Sequence, residues 1–364
     1  MHEEKSGFNK LGLTISILFI FLYIFVFSGV LYPELSVQPL WRIPLDAYET
    51  KNEYSIYSET VPAGLLSFHT PKYFGYFSKG GKLFLLGLND SKAAVSDRAF
   101  VLKRPHEKEN SHELYRSDGS PVQSFSADNA FFYGDLLFSV EAGGCGLASY
   151  DEFGHKLWSY LFPSQISAFG AVSDLAVAGT VDGYLEGVGK EGKEVFTFAP
   201  GGSRLEIILG LGLSSSGKYI ATVSGIDKQR LVIMKKGGVD YKVSSHMYLD
   251  SDYREPVRVI VMEDDKHVLY RRNDGIGLMS VDGKVNKVLP VLADDFSESM
   301  DKKRNISYIL VKNGIQARIA AFRLPSTLLG NINLPDSCDY VHIEGQRVYF
   351  VKDDYIAAFE FTEE

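Results

Sequence analysis

A chain of 364 residues with 45% hydrophobic residues, 13% aromatic residues and 34 glycines has enough apolar surface to fold and many turn formers, which excludes a disordered chain. The formal net charge is −8, and residues 1–10 contribute nothing to it, because Glu3 and Glu4 cancel Lys5 and Lys10. The acidic excess of the remainder argues against nucleic acid or anionic lipid as the partner of the globular part, since both require clustered Lys and Arg.

The first element in chain order is Leu11–Leu31, LGLTISILFIFLYIFVFSGVL, a run without a charged residue. A helix of that length at about 1.5 Å per residue spans the roughly 30 Å hydrocarbon layer of a bilayer. The run predicts a transmembrane helix. It exceeds the apolar core of a cleaved signal peptide, so it reads as an uncleaved anchor. Lys5 and Lys10 precede it, and no basic residue follows until Arg42. Positive residues stay inside, so residues 1–10 are expected as a cytoplasmic tail and 32–364 as the extracytoplasmic part, at an inner membrane.

Beyond residue 60 the pattern is short β-rich runs separated by Gly, Asp, Asn and Ser: Lys82–Leu88, Lys218–Ser224, Arg230–Met234, Val257–Met262, Ile306–Val311 and Arg347–Val351. These are strand lengths. Asp118-Gly119, Asp182-Gly183, Asp274-Gly275 and Asp282-Gly283 are dipeptides that accept the positive φ of tight hairpin turns.

One pattern recurs: polar turn residues, a glycine, then a β-rich run. It occurs in Tyr115–Phe125, Tyr150–Trp158, Val188–Phe196, Met234–Val243 and Ser280–Val288, with turn glycines Gly119, Gly154, Gly192, Gly238 and Gly283. The steps between them are 35, 38, 46 and 45 residues, the length of a four-stranded blade. The fold class is therefore all-β, a β-propeller of about seven four-stranded blades after the N-terminal helix, with six and eight as the neighbouring counts. A propeller must close to protect its sheet edges. The lone strand Val37–Leu45 is expected to pair with the C-terminal strands of Tyr340–Phe361.

In YDEFGHKLWSYLF, residues Tyr150–Phe162, the order Asp151, Gly154, Lys156, Leu157, Trp158 resembles the blade signature of pyrroloquinoline-quinone repeat proteins. Val188–Phe196 repeats it more loosely, with Gly192 in the turn and Phe196 at the place of Trp158; Gly238, Asp282 and Gly283 mark weaker copies. The resemblance implies a quinoprotein-like or WD-repeat-like propeller. Its family divides into quinone-dependent dehydrogenases and non-catalytic propellers, such as an outer-membrane assembly lipoprotein that scaffolds other proteins. The adjacent cysteines of many of the enzymes are missing here, as is a lipidation Cys after the apolar run, and the chain is short for eight full blades.

Little else in the chain suggests chemistry. Cys145 and Cys338 lie far apart and outside any CxxC, so they are expected as separate buried thiols. His106 and His112, the two closest histidines, fall in the polar stretch 103–112, expected as an exposed loop. The acidic pairs and triplets Glu263-Asp264-Asp265, Asp294-Asp295 and Asp353-Asp354 lack the spacing of a calcium loop and read as solvated turns. No GxSxG or phosphate-binding loop occurs. No catalytic, cofactor or metal site is therefore assigned. The leading expectation is a membrane-tethered scaffold that binds an envelope protein; the alternative is a propeller enzyme with carboxylates at its central channel.

Overall fold

The computed structural model describes residues 10–26, 35–50, 53–89, 93–104, 110–141, 143–238, 240–336, 338–352 and 354–363. Eight antiparallel sheets of four strands form eight blades. Blade 1 contains Leu65–His69, Tyr73–Ser78, Lys82–Leu88 and, outermost, Tyr54–Ile56. Blades 2 to 7 are each four consecutive strands, within 94–126, 129–161, 166–198, 208–248, 259–289 and 295–333. Blade 8 contains Tyr340–Glu344, Arg347–Lys352, Tyr355–Glu363 and, outermost, Leu35–Pro44. The first strands of blades 1, 2 and 3 touch in succession, as do those of blades 4, 5 and 6 and those of blades 7 and 8. The first strand of each blade is therefore the inner one.

The core is divided in the same way. Eight clusters of buried apolar residues each lie between two neighbouring blades, from Phe74, Phe84 and Phe100 between blades 1 and 2 to Ile306, Tyr308 and Val348 between blades 7 and 8. The cluster of Phe68, Phe77, Tyr349 and Ile356 packs blade 8 against blade 1 in the same manner, which closes the ring. A strand buried on both faces needs apolar residues at consecutive positions rather than alternate ones. Leu175–Thr180, LAVAGT, and Gly275–Ser280, GIGLMS, are buried throughout.

The count of eight corrects the expected seven. The five turn glycines all sit between the third and fourth strands of blades 2 to 6. Blade 7 makes that turn with Leu324 and Pro325 instead, and blades 1 and 8 take their fourth strand from the N-terminal side of the chain. Three blades therefore lack the marker. Blade length also varies: inner strands begin at Leu65 and Ala94, 29 residues apart, but at Ile208 and Val259, 51 apart.

Closure involves two strands. Leu35–Pro44 runs antiparallel to Tyr355–Glu363, from Leu35 opposite Glu363 to Pro44 opposite Tyr355. The chain then crosses to blade 1, where Tyr54–Ile56 pairs with Lys82–Leu88. One N-terminal segment thus supplies the outer strand on both sides of the junction. Trp41 lies over Gly81 of blade 1 and donates its indole N–H to the Lys79 carbonyl at 3.1 Å.

The N-terminal helix is Lys10–Val26, 17 residues, about 25 Å long. Among the described residues no helix is long and apolar enough to cross a membrane, which corrects the expected span of 11–31. Residues 27–31 of that span and most of the expected tail, 1–9, lie outside the described residues. Leu13, Phe19 and Leu22 of the helix are exposed.

Candidate functional site

In blades 2 and 3, the turn between the first and second strands and the turn between the third and fourth open on one face of the ring. On this face the two blades and the loop entering blade 1 enclose a cleft of about 790 Å³. Its apolar lining comes from Val61, Leu65, Leu114, Val122, Phe132, Leu136 and Leu157. Asp97, Asp118, Asp135, Asp151 and Glu152 stand around it with only Arg98 and Arg116 in opposition.

The rim is ordered by short-range hydrogen bonds that follow from the turn sequences. Asp97 Oδ1 accepts both the N–H and the hydroxyl of Ser67 at 2.8 Å, tying the turn of blade 2 to the inner strand of blade 1. Arg98 Nε reaches Asp135 Oδ2 at 3.0 Å across blades 2 and 3. Asp151 Oδ1 accepts the N–H groups of Phe153 and His155 at 2.9 and 2.8 Å, while Oδ2 meets His155 Nδ1 at 3.0 Å. Desolvation opposes ionisation of Asp151, but the bonds from His155 and Phe153 outweigh it and hold the carboxyl below its ordinary value. Hydrogen bonding to Ser120 likewise lowers Asp118. Both stay ionised at neutral pH, so the cleft carries an anionic rim above an apolar floor.

A second carboxylate feature lies between blades 6 and 7. Glu298, on an inner strand, accepts the Ser307 hydroxyl at 3.2 Å and the Glu263 N–H at 3.4 Å. Burial, and next the Glu263 charge, push its carboxyl up to about 7. Among the described residues no group of three or more His, Cys, Asp or Glu is arranged to hold a metal ion.

The repeat residues have structural placements. Asp151 and Gly154 shape the third turn of blade 3, and Trp158 leaves its outer strand to lie on Gly192, the corresponding turn of blade 4. Phe196, buried, packs instead on Tyr241 of blade 5, with ring centroids 5.0 Å apart, and a Cβ on Gly238 would meet nothing within 4 Å. Asp282 accepts the Ser280 hydroxyl at 2.7 Å beside Gly283, where a Cβ would come within 3.0 Å of Ser245 Cβ in blade 5. The recurring interblade contact is thus an outer-strand side chain over the next blade's turn glycine. Only Asp151 of these residues also reaches the cleft.

Other expectations resolve differently. His112 is buried in the strand Ser111–Arg116 with its ring 5.7 Å from that of Phe125, not exposed in a loop, because that strand pairs with Ala99–Lys103 and places His112 opposite Lys103. His106 lies outside the described residues. Cys338 is buried and Cys145 half-buried, and no disulfide joins them. The aspartates of the cleft come from successive turns, with Asp97, Asp118, Asp135 and Asp151 spaced 21, 17 and 16 positions apart. Their one sequence signal was the recurrence of Asp in those turns.

A protein of Treponema pallidum (strain Nichols) described as uncharacterized is 25% identical over 362 residues, covering 98% of this chain and 94% of that protein. Among solved structures, BamB from Moraxella catarrhalis aligns with a TM-score of 0.55 at 12% identity, over 90% of this chain and 100% of that one. The computationally designed protein Ika8 aligns with a TM-score of 0.58 at 13% identity, over 89% and 99%. These likenesses concern the fold. A family described as beta-propeller protein matches residues 4–364, and the chain belongs to that family.

Proposed function

We propose that this propeller is a non-enzymatic docking protein of a cell envelope, which binds a polypeptide partner through the cleft over blades 1 to 3. The observation that carries this reading is the combination of apolar floor and anionic rim in an open cleft on one face. A protein segment with apolar and basic side chains fits it better than a small anion or a nucleic acid, whose phosphates the rim would repel. The resemblance of Asp151, Gly154 and Trp158 to pyrroloquinoline-quinone repeats, whose family includes scaffolding propellers beside its dehydrogenases, is compatible with it.

A photo-crosslinking amino acid placed at Val61, in the cleft, and in a second strain at Leu292, near blades 6 and 7, tests the docking. Expected is a discrete cross-linked protein band from position 61 alone. Identical adducts from both positions, or none from position 61, would sink the reading.

A further inference from the structure

We infer that the outer edge of blade 3, Lys156–Leu161, accepts an extended segment of a partner protein as an added fifth strand, with lysine or arginine at the end nearest the cleft. The inference rests on the docking reading above and specifies its mode.

The backbone supplies the first argument. Phe162 donates its N–H to the Cys145 carbonyl at 2.9 Å, and Leu161 and Ser159 lie opposite Gly146 and Ala148. In an antiparallel pair the inward and outward backbone groups alternate. Tyr160 and Trp158 therefore turn their N–H and C=O groups into the blade, and Ser159 and Leu161 turn theirs outward. The sheet ends at this strand, and among the described residues no other strand pairs with its edge.

The side chains divide in the same rhythm. Trp158 lies over Gly192, and the Tyr160 hydroxyl reaches Glu186 of blade 4 at 3.2 Å. Leu157, Ser159 and Leu161 point the other way, with Leu157 58% and Leu161 72% exposed. Leu161 is the most exposed large apolar side chain among the described residues. Leaving these leucines in water forgoes the gain of burying them against a partner.

The other outer strands carry features that discourage pairing. Blade 8 has Pro39 and Pro44, blade 1 offers three residues, and blade 2 begins with Pro121. Blades 5 and 6 carry Lys242 and Lys287, blade 7 has Gly330 at its middle, and blade 4, which opens on Glu194 as blade 3 opens on Lys156, exposes only Val195, at 38%, as a large apolar side chain. The interior of the blade 3 strand, LWSY, has no charge, proline or glycine.

Charge identifies the partner's chemistry. Leu157 also lines the cleft, beside Asp118, Asp151 and Glu152. A strand added along Leu161 and Leu157 ends among those carboxylates. Its alternate apolar residues would cover the leucines, and a basic residue at that end would meet the rim.

The test uses the full chain in detergent micelles and two fluorescein-labelled peptides of alternating valine and threonine, one carrying two terminal lysines and the other two glutamates. Anisotropy is expected to show the lysine peptide binding at least tenfold tighter, and amide exchange to slow at Ser159 and Leu161. Leu161→Lys and Ser159→Pro, both on the solvent side, are expected to weaken binding at least tenfold without changing the thermal midpoint. Binding unaffected by either variant but weakened by Glu152→Lys overturns the edge and leaves the cleft reading standing. Absence of binding, or binding indifferent to all three variants, overturns both. A peptide-independent dimer that Leu161→Lys dissolves assigns the edge to a second copy of the chain and overturns the partner strand.

Discussion

Trp158 of blade 3 covers Gly192 of blade 4 so closely that a Cβ on the glycine would lie 2.5 Å from the Trp158 Cβ. Gly192 also has a φ of +73°, in the left-handed region. Two demands thus meet at one position: a turn that disfavours L side chains, and a neighbouring blade that leaves no room for one.

Gly192→Ala and Gly238→Ala separate the two demands. Gly238 has the same kind of backbone, φ +80°, with open space around it, so its substitution is expected to cost about 1–2 kcal/mol. The Gly192 variant should cost about 1–3 kcal/mol more, from displacement of Trp158. Urea midpoints decide it, and equal losses would mean that the indole moves aside freely.

Trp41 plays the equivalent part at the ring junction, above Gly81. Trp41→Ala is expected to cost about 3 kcal/mol and to loosen the strand Leu35–Pro44 from blade 8. Arg42, stacked 3.8 Å from the centre of the Tyr355 ring, should then become a site of faster tryptic cleavage. An unchanged cleavage rate would show that the strand is held by its backbone pairing alone.

Glu298 makes stability depend on pH. Its folded value, about 7, lies above the ordinary 4.5, so its neutral form is favoured in the folded state. The associated stability is full below about pH 4.5 and is lost as pH rises through 7. Glu298→Gln is expected to match the native chain at pH 4 and to exceed it by about 2–3 kcal/mol at pH 8. Parallel pH profiles of the two proteins would contradict this.

Between blades 3 and 4, the single Tyr160 hydroxyl lies 3.2 Å from Glu186 and 3.3 Å from Glu194. One proton cannot serve two carboxylates, and burial, with the Glu194 charge, raises Glu186. Glu194→Gln removes the repulsion while keeping an acceptor for Thr197, which donates at 2.9 Å. It is expected to raise stability at pH 7 by about 1 kcal/mol. A lower denaturation midpoint would show instead that Glu194 stabilises the native fold as a charge.

Several features were readable because they depend on short-range geometry. Asp118-Gly119 and Asp282-Gly283 announce turns by their own φ preferences, and both glycines are in the left-handed region. Lys82–Leu88 and Ile306–Val311 announce buried strands by their density of apolar residues, and both lie in strands. The blade count was not readable, because Tyr54–Ile56 and Leu35–Pro44 complete sheets whose other strands follow later in the chain, by nearly 320 positions for the latter. No local spacing encodes such a pairing.

The cleft shows the same division. Each of its aspartates has a local reason to occupy a turn, and residue order alone was enough to indicate an all-β repeat with Asp and Gly at its hairpins. That Asp97, Asp118, Asp135 and Asp151 share one face, that Trp158 meets Gly192, and that Leu161 stands uncovered follow from the folded ring. The physical reason is range. Turn and strand preferences act over a few residues, whereas blade number, the convergence of turns and the exposure of an edge depend on how eight sheets close around one axis.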